Sequence, residues 1–197
     1  MLKQVRDIYI FLQSHLIKKL NYLINVAGAT KGGSFLMLKD NVWDDGFNLK
    51  FKAAVRLSRN FWNKLKRNKG KVINIGGGAA RNPSHTFMIG GAVNSALNNF
   101  SRALAMQGKI DKVSVSIIHP GMTLTSRLKK LLEIDSKILK KSEKQILKQR
   151  CKADKIKRPT KPEEVAKLVY SLIRSTSLNF NNIAIDGGKI KRLKTHI

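Results

Sequence analysis

The stretch that most constrains this 197-residue chain runs from Gly70 to Gly121. Lys71 to Ile75 is a short apolar run, and Gly76, Gly77 and Gly78 follow it as a turn. After a loop, Val93, Ala96, Leu97, Phe100, Ala103 and Leu104 fall on one helical face within a segment from about Phe87 to Gly108. A second apolar run, Val113 to Ile118, ends in His119-Pro120-Gly121. Strand, helix and strand in this order predict a right-handed crossover, the unit from which parallel sheets are built. Ligand chemistry in such sheets sits beyond the carboxyl ends of the strands. Here those ends carry the three glycines and Pro120-Gly121. Gly90, Gly91 and Ala92 make the first helical turns small enough for close packing, and Gly108 is expected to stop the helix.

The flanking sequence extends the same pattern. Val5, Ile8, Leu12, Leu16 and Leu20 form a helical stripe, which Asp7, Gln13, His15 and Lys18 mark as a surface helix and not a signal peptide. Asn21 to Asn25 reads as a short buried strand running into a turn at Val26-Ala27-Gly28. A loop from Ala29 to Lys39 leads to a helix capped by Asp40 or Asn41, whose apolar face carries Phe47, Phe51, Ala54, Val55, Ser58, Phe61, Trp62 and Leu65. Lys64, Lys66, Arg67 and Lys69 suit its negative end, and Gly70 closes it. Between Ser126 and Arg158 leucines and isoleucines alternate with lysines, predicting one or two amphipathic helices that form a basic flap (126–160) over the strand ends. Glu163 and Glu164 open a further helix, Asn182 to Ile185 is a last strand, and Asp186-Gly187-Gly188 a final turn. The expectation is one domain over 1–197.

Charge bounds the function classes. Thirty-nine Lys plus Arg against 12 Asp plus Glu give a formal net charge of +27, which attracts polyanions. The excess is spread along the chain and is mostly lysine, whereas specific nucleic-acid readout favours arginine. Solvated lysine faces are therefore preferred to a nucleic-acid interface, and a polyanion binder stays as an alternative. The lone Cys151 allows no internal disulfide and points to a reducing, cytoplasmic setting. Four unclustered histidines predict no metal site. No apolar run approaches the roughly 18 residues needed to span a membrane.

Taken together, these landmarks resemble the short-chain dehydrogenase/reductase family. Asn25-Val26-Ala27-Gly28 resembles the family's Asn-Asn-Ala-Gly turn, and Lys71 to Ile75 the strand before its catalytic serine. Pro120-Gly121 with Thr125 resembles the Pro-Gly…Thr element beside the nicotinamide. Pro162-Glu163-Glu164-Val165-Ala166 and Ile185-Asp186-Gly187-Gly188 resemble the family's C-terminal helix and last strand. The resemblance implies an α/β, Rossmann-like, doubly wound parallel sheet with helices on both faces, lacking its first three strands. It implies a carbonyl or hydroxyl substrate and NAD or NADP, with Asn25, Ala27, Gly28, Pro120, Gly121 and Thr125 on the cofactor side. It also implies a homo-oligomer formed through the helices at 43–67 and 87–108.

Departures from the family pattern bear on activity. The family opens with a strand, a Thr-Gly-x-x-x-Gly-x-Gly turn and a helix, whose backbone N–H groups cradle the pyrophosphate. This chain begins beside the fourth family strand, so about 60 residues, two strand–helix units, are missing by comparison. Gly76-Gly77-Gly78 does not replace that turn: Arg81 takes the third glycine position and no acidic residue follows at the required distance. The catalytic Asn-Ser-Tyr-Lys tetrad is altered as well. The serine position falls on Gly77, the tyrosine on Gly90 and the lysine on Asn94. The asparagine position falls on Lys50, or on Asn48 if the register slips by two. The asparagine and lysine positions have thus exchanged residue types, which fits either a compensated site or a decayed one. Thr86, His85 and Thr123 are the nearby side chains that could supply the missing proton-transfer group. The expectation is a short-chain oxidoreductase, impaired in this chain and doubtful as a cofactor binder. The alternatives are a non-catalytic relative acting by subunit association and a basic polyanion binder.

Overall fold

The computed structural model describes residues 17–176 and 180–188. Four parallel strands, β1 (Tyr22–Asn25), β2 (Lys71–Ile75), β3 (Ser114–Pro120) and β4 (Phe180–Ile185), lie side by side in chain order. Asn25 sits opposite Asn74, Asn74 opposite Ile117, and Ile118 opposite Ile183, so the strand ends carrying the glycines and Pro120 are level. The helices are α1 (Asp40–Gly46), α2 (Ala53–Arg67), α3 (Met88–Asp111), α4 (Ser126–Leu139), α5 (Glu143–Asp154) and α6 (Pro162–Arg174). A π-helical segment, Phe47–Lys52, joins α1 to α2 without a break.

Alternation along the strands decides the layers. Val72, Val115 and Ile117 face α2 and α3, where Phe61, Leu65, Ala54, Leu97 and Ala105 complete the core. Ile73 and Ile118 face the other way and pack on Leu172 of α6. Both faces of the central strands are covered, which explains why β2 and β3 are apolar runs and not alternating ones. Lys71 Nζ donates to the carbonyls of Leu172 and Ile173, each at 2.9 Å, and to that of Ser175, satisfying orphan groups at the end of α6. Leu128 and Leu132 of α4 close on Ile146 of α5 as a separate small core within the segment read as a flap. Its two helices are capped by Thr125 and Ser142, the latter with a full capping box to Gln145.

The differences from expectation have local causes. The helix before β2 begins at Asp40 with Lys39 as its cap residue, and neither Asp40 nor Asn41 caps it through a side chain. Gly108 does not stop α3. The helix runs on to Asp111 and ends where Lys112 turns left-handed (φ 59°). Gly108 is needed for another reason, since a β-carbon there would collide with the Val113 carbonyl. Likewise α2 ends at Arg67, Lys69 takes the left-handed position (φ 47°), and Gly70 lets the chain pass beside Asn21 O. The N-terminal stripe from Val5 to Leu16 lies outside the described residues. Ile17 and Leu20 are described, are not helical, and pack against the core beside Leu65.

Candidate functional site

The carboxyl ends of the strands are tied together by polar groups from below. Asn25 Nδ2 donates to Asn74 Oδ1 and Asn74 Nδ2 to Ser101 Oγ, each at 2.8 Å, linking β1, β2 and α3. His119, on β3, is 1% exposed. Its Nε2 lies 3.2 Å from Asn98 Oδ1, and its Nδ1 3.3 Å from the Gly77 N–H. Nδ1 also lies 3.1 Å from the Gly77 carbonyl oxygen: a ring protonated on Nε2 donates to Asn98 and accepts from the Gly77 N–H, whereas one protonated on Nδ1 donates to the Gly77 carbonyl. Burial, with the charges of Arg81 and Lys50, holds the imidazole below its ordinary pKa, and donation from Nδ1 to the Gly77 carbonyl works against that shift. Asn182 of β4 donates to the same Asn98 oxygen at 2.8 Å. The ring packs directly under Gly76, where a β-carbon would lie 2.7 Å from Nδ1.

Lys50 enters from the π-helical segment. A π-turn is wider than an α-turn and re-aims the side chains it carries, which is why such turns recur at functional sites. Here it is Lys50 that reaches the glycine turn: its Nζ donates to the Gly76 carbonyl at 2.9 Å, and its side chain lies across Gly28. Burial and the charge of Arg127 bring its pKa down to about 8. Asn94, on α3, is 5% exposed, and its Oδ1 is buried without a hydrogen-bond partner. Lys50 and Asn94 thus flank consecutive residues of one turn, Lys50 at Gly76 and Asn94 at Gly77.

The glycines at the serine and tyrosine positions of the resemblance are not vacant space. A β-carbon at Gly77 would lie 2.8 Å from Asn94 Nδ2. One at Gly90 would run into the ring of Phe87. Over that ring, with its carbon 5.8 Å from the centroid, lies the guanidinium of Arg127, from the first turn of α4. Arg127 Nη2 also donates to the Thr30 carbonyl at 2.7 Å, fastening the flap to the loop after β1.

The remaining predicted positions are spread around this centre. Asn25 is buried at the end of β1, with its Oδ1 unpartnered, and Ala27 and Gly28 are exposed beyond it. Pro120 ends β3, and the Gly121 N–H donates to Ile185 O at 2.9 Å, joining β3 to β4. Thr125 caps α4 by accepting from the Leu128 N–H. Thr86 bonds Ser84, Thr123 bonds the Gly121 carbonyl, and His85 is exposed, so none of the three is seen at Lys50. His119, Arg127 and Phe87 escaped sequence reasoning as site residues. The available signals were a histidine inside an otherwise apolar strand and an arginine at the start of a lysine-rich segment.

A nicotinamide dinucleotide can be tested against these residues. The strand ends suit its nicotinamide end: they are level and glycine-rich, with a buried, unpartnered acceptor in Asn94 beside Gly77. They do not suit its pyrophosphate, because no glycine-rich turn opening a helix stands beside β1 among the described residues. Nor do the described residues hold a group of three side chains able to bind a metal ion. Among them, no helix is long and apolar enough to cross a membrane.

Comparisons with known proteins agree with this architecture. A family model for short chain dehydrogenases matches residues 2–135. The chain is 27% identical over 180 residues to the uncharacterized oxidoreductase YvaG of Bacillus subtilis (strain 168), covering 88% of this chain and 68% of that protein. The structure of L-sorbose reductase from Gluconobacter frateurii, complexed with NADPH and L-sorbose, superposes with a TM-score of 0.84 at 26% identity, over 93% of this chain and 72% of that one. An NADPH-bound short chain oxidoreductase from Pseudomonas aeruginosa PAO1, described as containing an atypical catalytic center, gives a TM-score of 0.81 at 19% identity, over 94% and 73% of the two chains.

Proposed function

Since the chain belongs to the short chain dehydrogenase family, we propose that its strand ends form a carbonyl/hydroxyl site of an NAD(P)-linked oxidoreductase in which Lys50 and Asn94 replace the usual tetrad. The observation that carries this is Lys50, a lysine drawn out of solvent and held on the Gly76 carbonyl at the end of β2. A bound nicotinamide supplies or accepts a hydride. The protein's part is to hold the substrate oxygen and manage its proton. The Lys50 ammonium has three hydrogens, one of which is engaged by Gly76, so it can donate to a substrate oxygen that enters beside it. With a pKa of about 8 it is mostly protonated at neutral pH and loses its proton readily. Asn94 Oδ1 accepts a hydrogen bond from a substrate hydroxyl, a role the exchanged lysine could not fill. The Gly76–Gly77 turn, backed by His119, fixes both partners. Asn25, Ala27, Gly28, Pro120, Gly121 and Thr125 would border the nicotinamide.

The same reading makes the 197-residue chain a weak cofactor binder. NADH and NADPH are expected to bind at millimolar and not micromolar dissociation constants, a difference of about 4 kcal/mol. Titration of nicotinamide fluorescence decides this, and a micromolar constant would overturn the impairment. At several millimolar NADPH, carbonyl reduction is expected to fall as pH rises through about 8, where Lys50 loses its proton. It should be abolished in Lys50→Met. Turnover undiminished in that variant would remove Lys50 from the mechanism.

A second reading, non-catalytic association, is favoured by the outer face of α2 and α3. Val55, Trp62, Phe100 and Leu104 line a shallow groove there, and Met106 and Ile110 beside it are 71% and 76% exposed. A second copy of the chain covering these helices is compatible with either reading. The polyanion binder rests only on the net charge of +27.

A further inference from the structure

Two lysines are drawn into the fold at opposite ends of β2, and they are held differently. Lys71, at its start, donates to three carbonyls, those of Leu172, Ile173 and Ser175, so all three ammonium hydrogens are used. Lys50, just past its end, has one acceptor, the Gly76 carbonyl at 2.9 Å. Burial lowers the pKa of both, and Arg127 lowers that of Lys50 further. Losing a proton has different consequences at the two. A neutral amine has two hydrogens and a lone pair, so at Lys71 one of the three carbonyls would be left without its donor. At Lys50 a single N–H keeps the Gly76 bond, and the lone pair then faces away from that oxygen. Among the described residues no carboxylate pairs with Lys50 to hold it in the charged form.

The surroundings of the amine fix its open side. Its stem crosses Gly28, where a β-carbon would stand 2.9 Å from Cδ and 3.3 Å from Nζ, so backbone closes that flank. The Gly76 carbonyl closes a second. The nitrogen stands at the level ends of β1 and β2, where sheets of this kind receive ligands.

From this arrangement we infer that Lys50 is a nucleophilic amine that captures small aldehydes as a reversible imine. The lone pair adds to the carbonyl carbon, the N–C bond forms as the C=O π bond opens, and one proton passes from nitrogen to oxygen. The resulting carbinolamine expels its hydroxyl together with the remaining nitrogen-bound proton as water, leaving a C=N bond. Nothing is oxidised or reduced. An aldehyde is the class that fits, because its hydrogen-bearing carbon needs the least room at a nitrogen flanked on two sides. Desolvated lysines beside a second cation are suited to this chemistry in general. The inference rests on the carbonyl-site reading for the position of Lys50 and adds a covalent step that hydride transfer does not need.

The test is reductive trapping on the full chain. Butanal is added below one equivalent with sodium cyanoborohydride at pH 7, and the alkylated lysines are located and timed by peptide mass mapping. A drop from 10.5 to about 8 raises the neutral-amine fraction at pH 7 roughly 300-fold, of which lower basicity and restricted access take back a part. Lys50 is expected to be labelled at least about tenfold faster than the median lysine at pH 7, with that lead shrinking toward pH 10. Lys71 is expected to show no such lead, since its hydrogens are all engaged. In Lys50→Arg the fast phase should vanish, with a melting curve establishing that the variant is folded. A Lys50 rate no higher than the median, or a fast phase that survives Lys50→Arg, overturns the imine. Lys71 labelled as fast as Lys50 overturns it too, since burial alone would then account for the reactivity. The carbonyl-site reading fails separately. Carbonyl reduction lost in Lys50→Met with no trapping at Lys50 overturns the imine and leaves that reading standing. Trapping at Lys50 with undiminished reduction in Lys50→Met supports the imine and removes that reading.

Discussion

Lys50 shows what a single residue costs and contributes at this site. Its pKa is depressed from 10.5 to about 8 by burial and Arg127. The unfolded chain therefore binds the proton more tightly, and stability rises with pH between about 8 and 10.5 as that penalty disappears. Below pH 8 the penalty is present in full, about 3 kcal/mol from a shift of this size. Lys50→Met is expected to stabilise the fold at pH 7 by about 1–3 kcal/mol and to flatten the rise between pH 8 and 10, as read by urea unfolding at both pH values. Gly90 makes a complementary prediction. Gly90→Ala should destabilise by about 1–3 kcal/mol by overpacking against Phe87, and the double variant with Phe87→Ala should show a coupling energy of comparable size in a thermodynamic cycle. At this scale the sequence was informative about identities and silent about space. Lys50 and Asn94, which the structure brings to the same glycine turn, could be picked out from spacing. That Phe87 fills the volume beside Gly90 could not, because the loop before α3 has no period from which to place its ring.

Among the elements, the α2–α3 pair is fastened at its end by Asp111. The carboxylate accepts from Trp62 Nε1 at 2.7 Å and Gln107 Nε2 at 2.8 Å, and meets Lys66 Nζ at 2.5 Å. Those bonds hold its pKa well below the usual carboxylate range. Its stabilisation is complete above the unfolded-state pKa of about 3.9 and is lost as pH falls below it. Asp111→Asn should lower the melting temperature at pH 7 and shift the Trp62 fluorescence, and the gap from the parent should begin to narrow below about pH 4 while most of it persists at pH 3. Element types were legible because the fold covers both sheet faces, so apolar runs marked strands and 3.6-residue periods marked helices. Boundaries were less so. Gly108 and Gly70 read as helix stops, yet both answer to close backbone neighbours, Val113 just downstream for one and the distant Asn21 for the other. The π-helical segment has no glycine or proline to announce it, and it is the element that aims Lys50.

For the whole molecule, β1 is an edge strand among the described residues, with Tyr22 and Ile24 44% and 38% exposed. Together with Met106 and Ile110 on the α3 surface, it leaves apolar groups for a second chain to cover. Sedimentation at tens of micromolar is expected to show self-association. Leu104→Glu should weaken it if the helical face is responsible, and a stable non-associating monomer for the parent would exclude both surfaces. The packing around the glycine turn carries a consequence for substitution there. A serine at 77 meets the Asn94 amide, and any side chain at 90 meets Phe87. A side chain at 77 or 90 therefore requires the Asn94 or Phe87 side chain beside it to shift. Such coupling ties each glycine to one side chain, so a change at 77 or 90 is easiest alongside a change at 94 or 87.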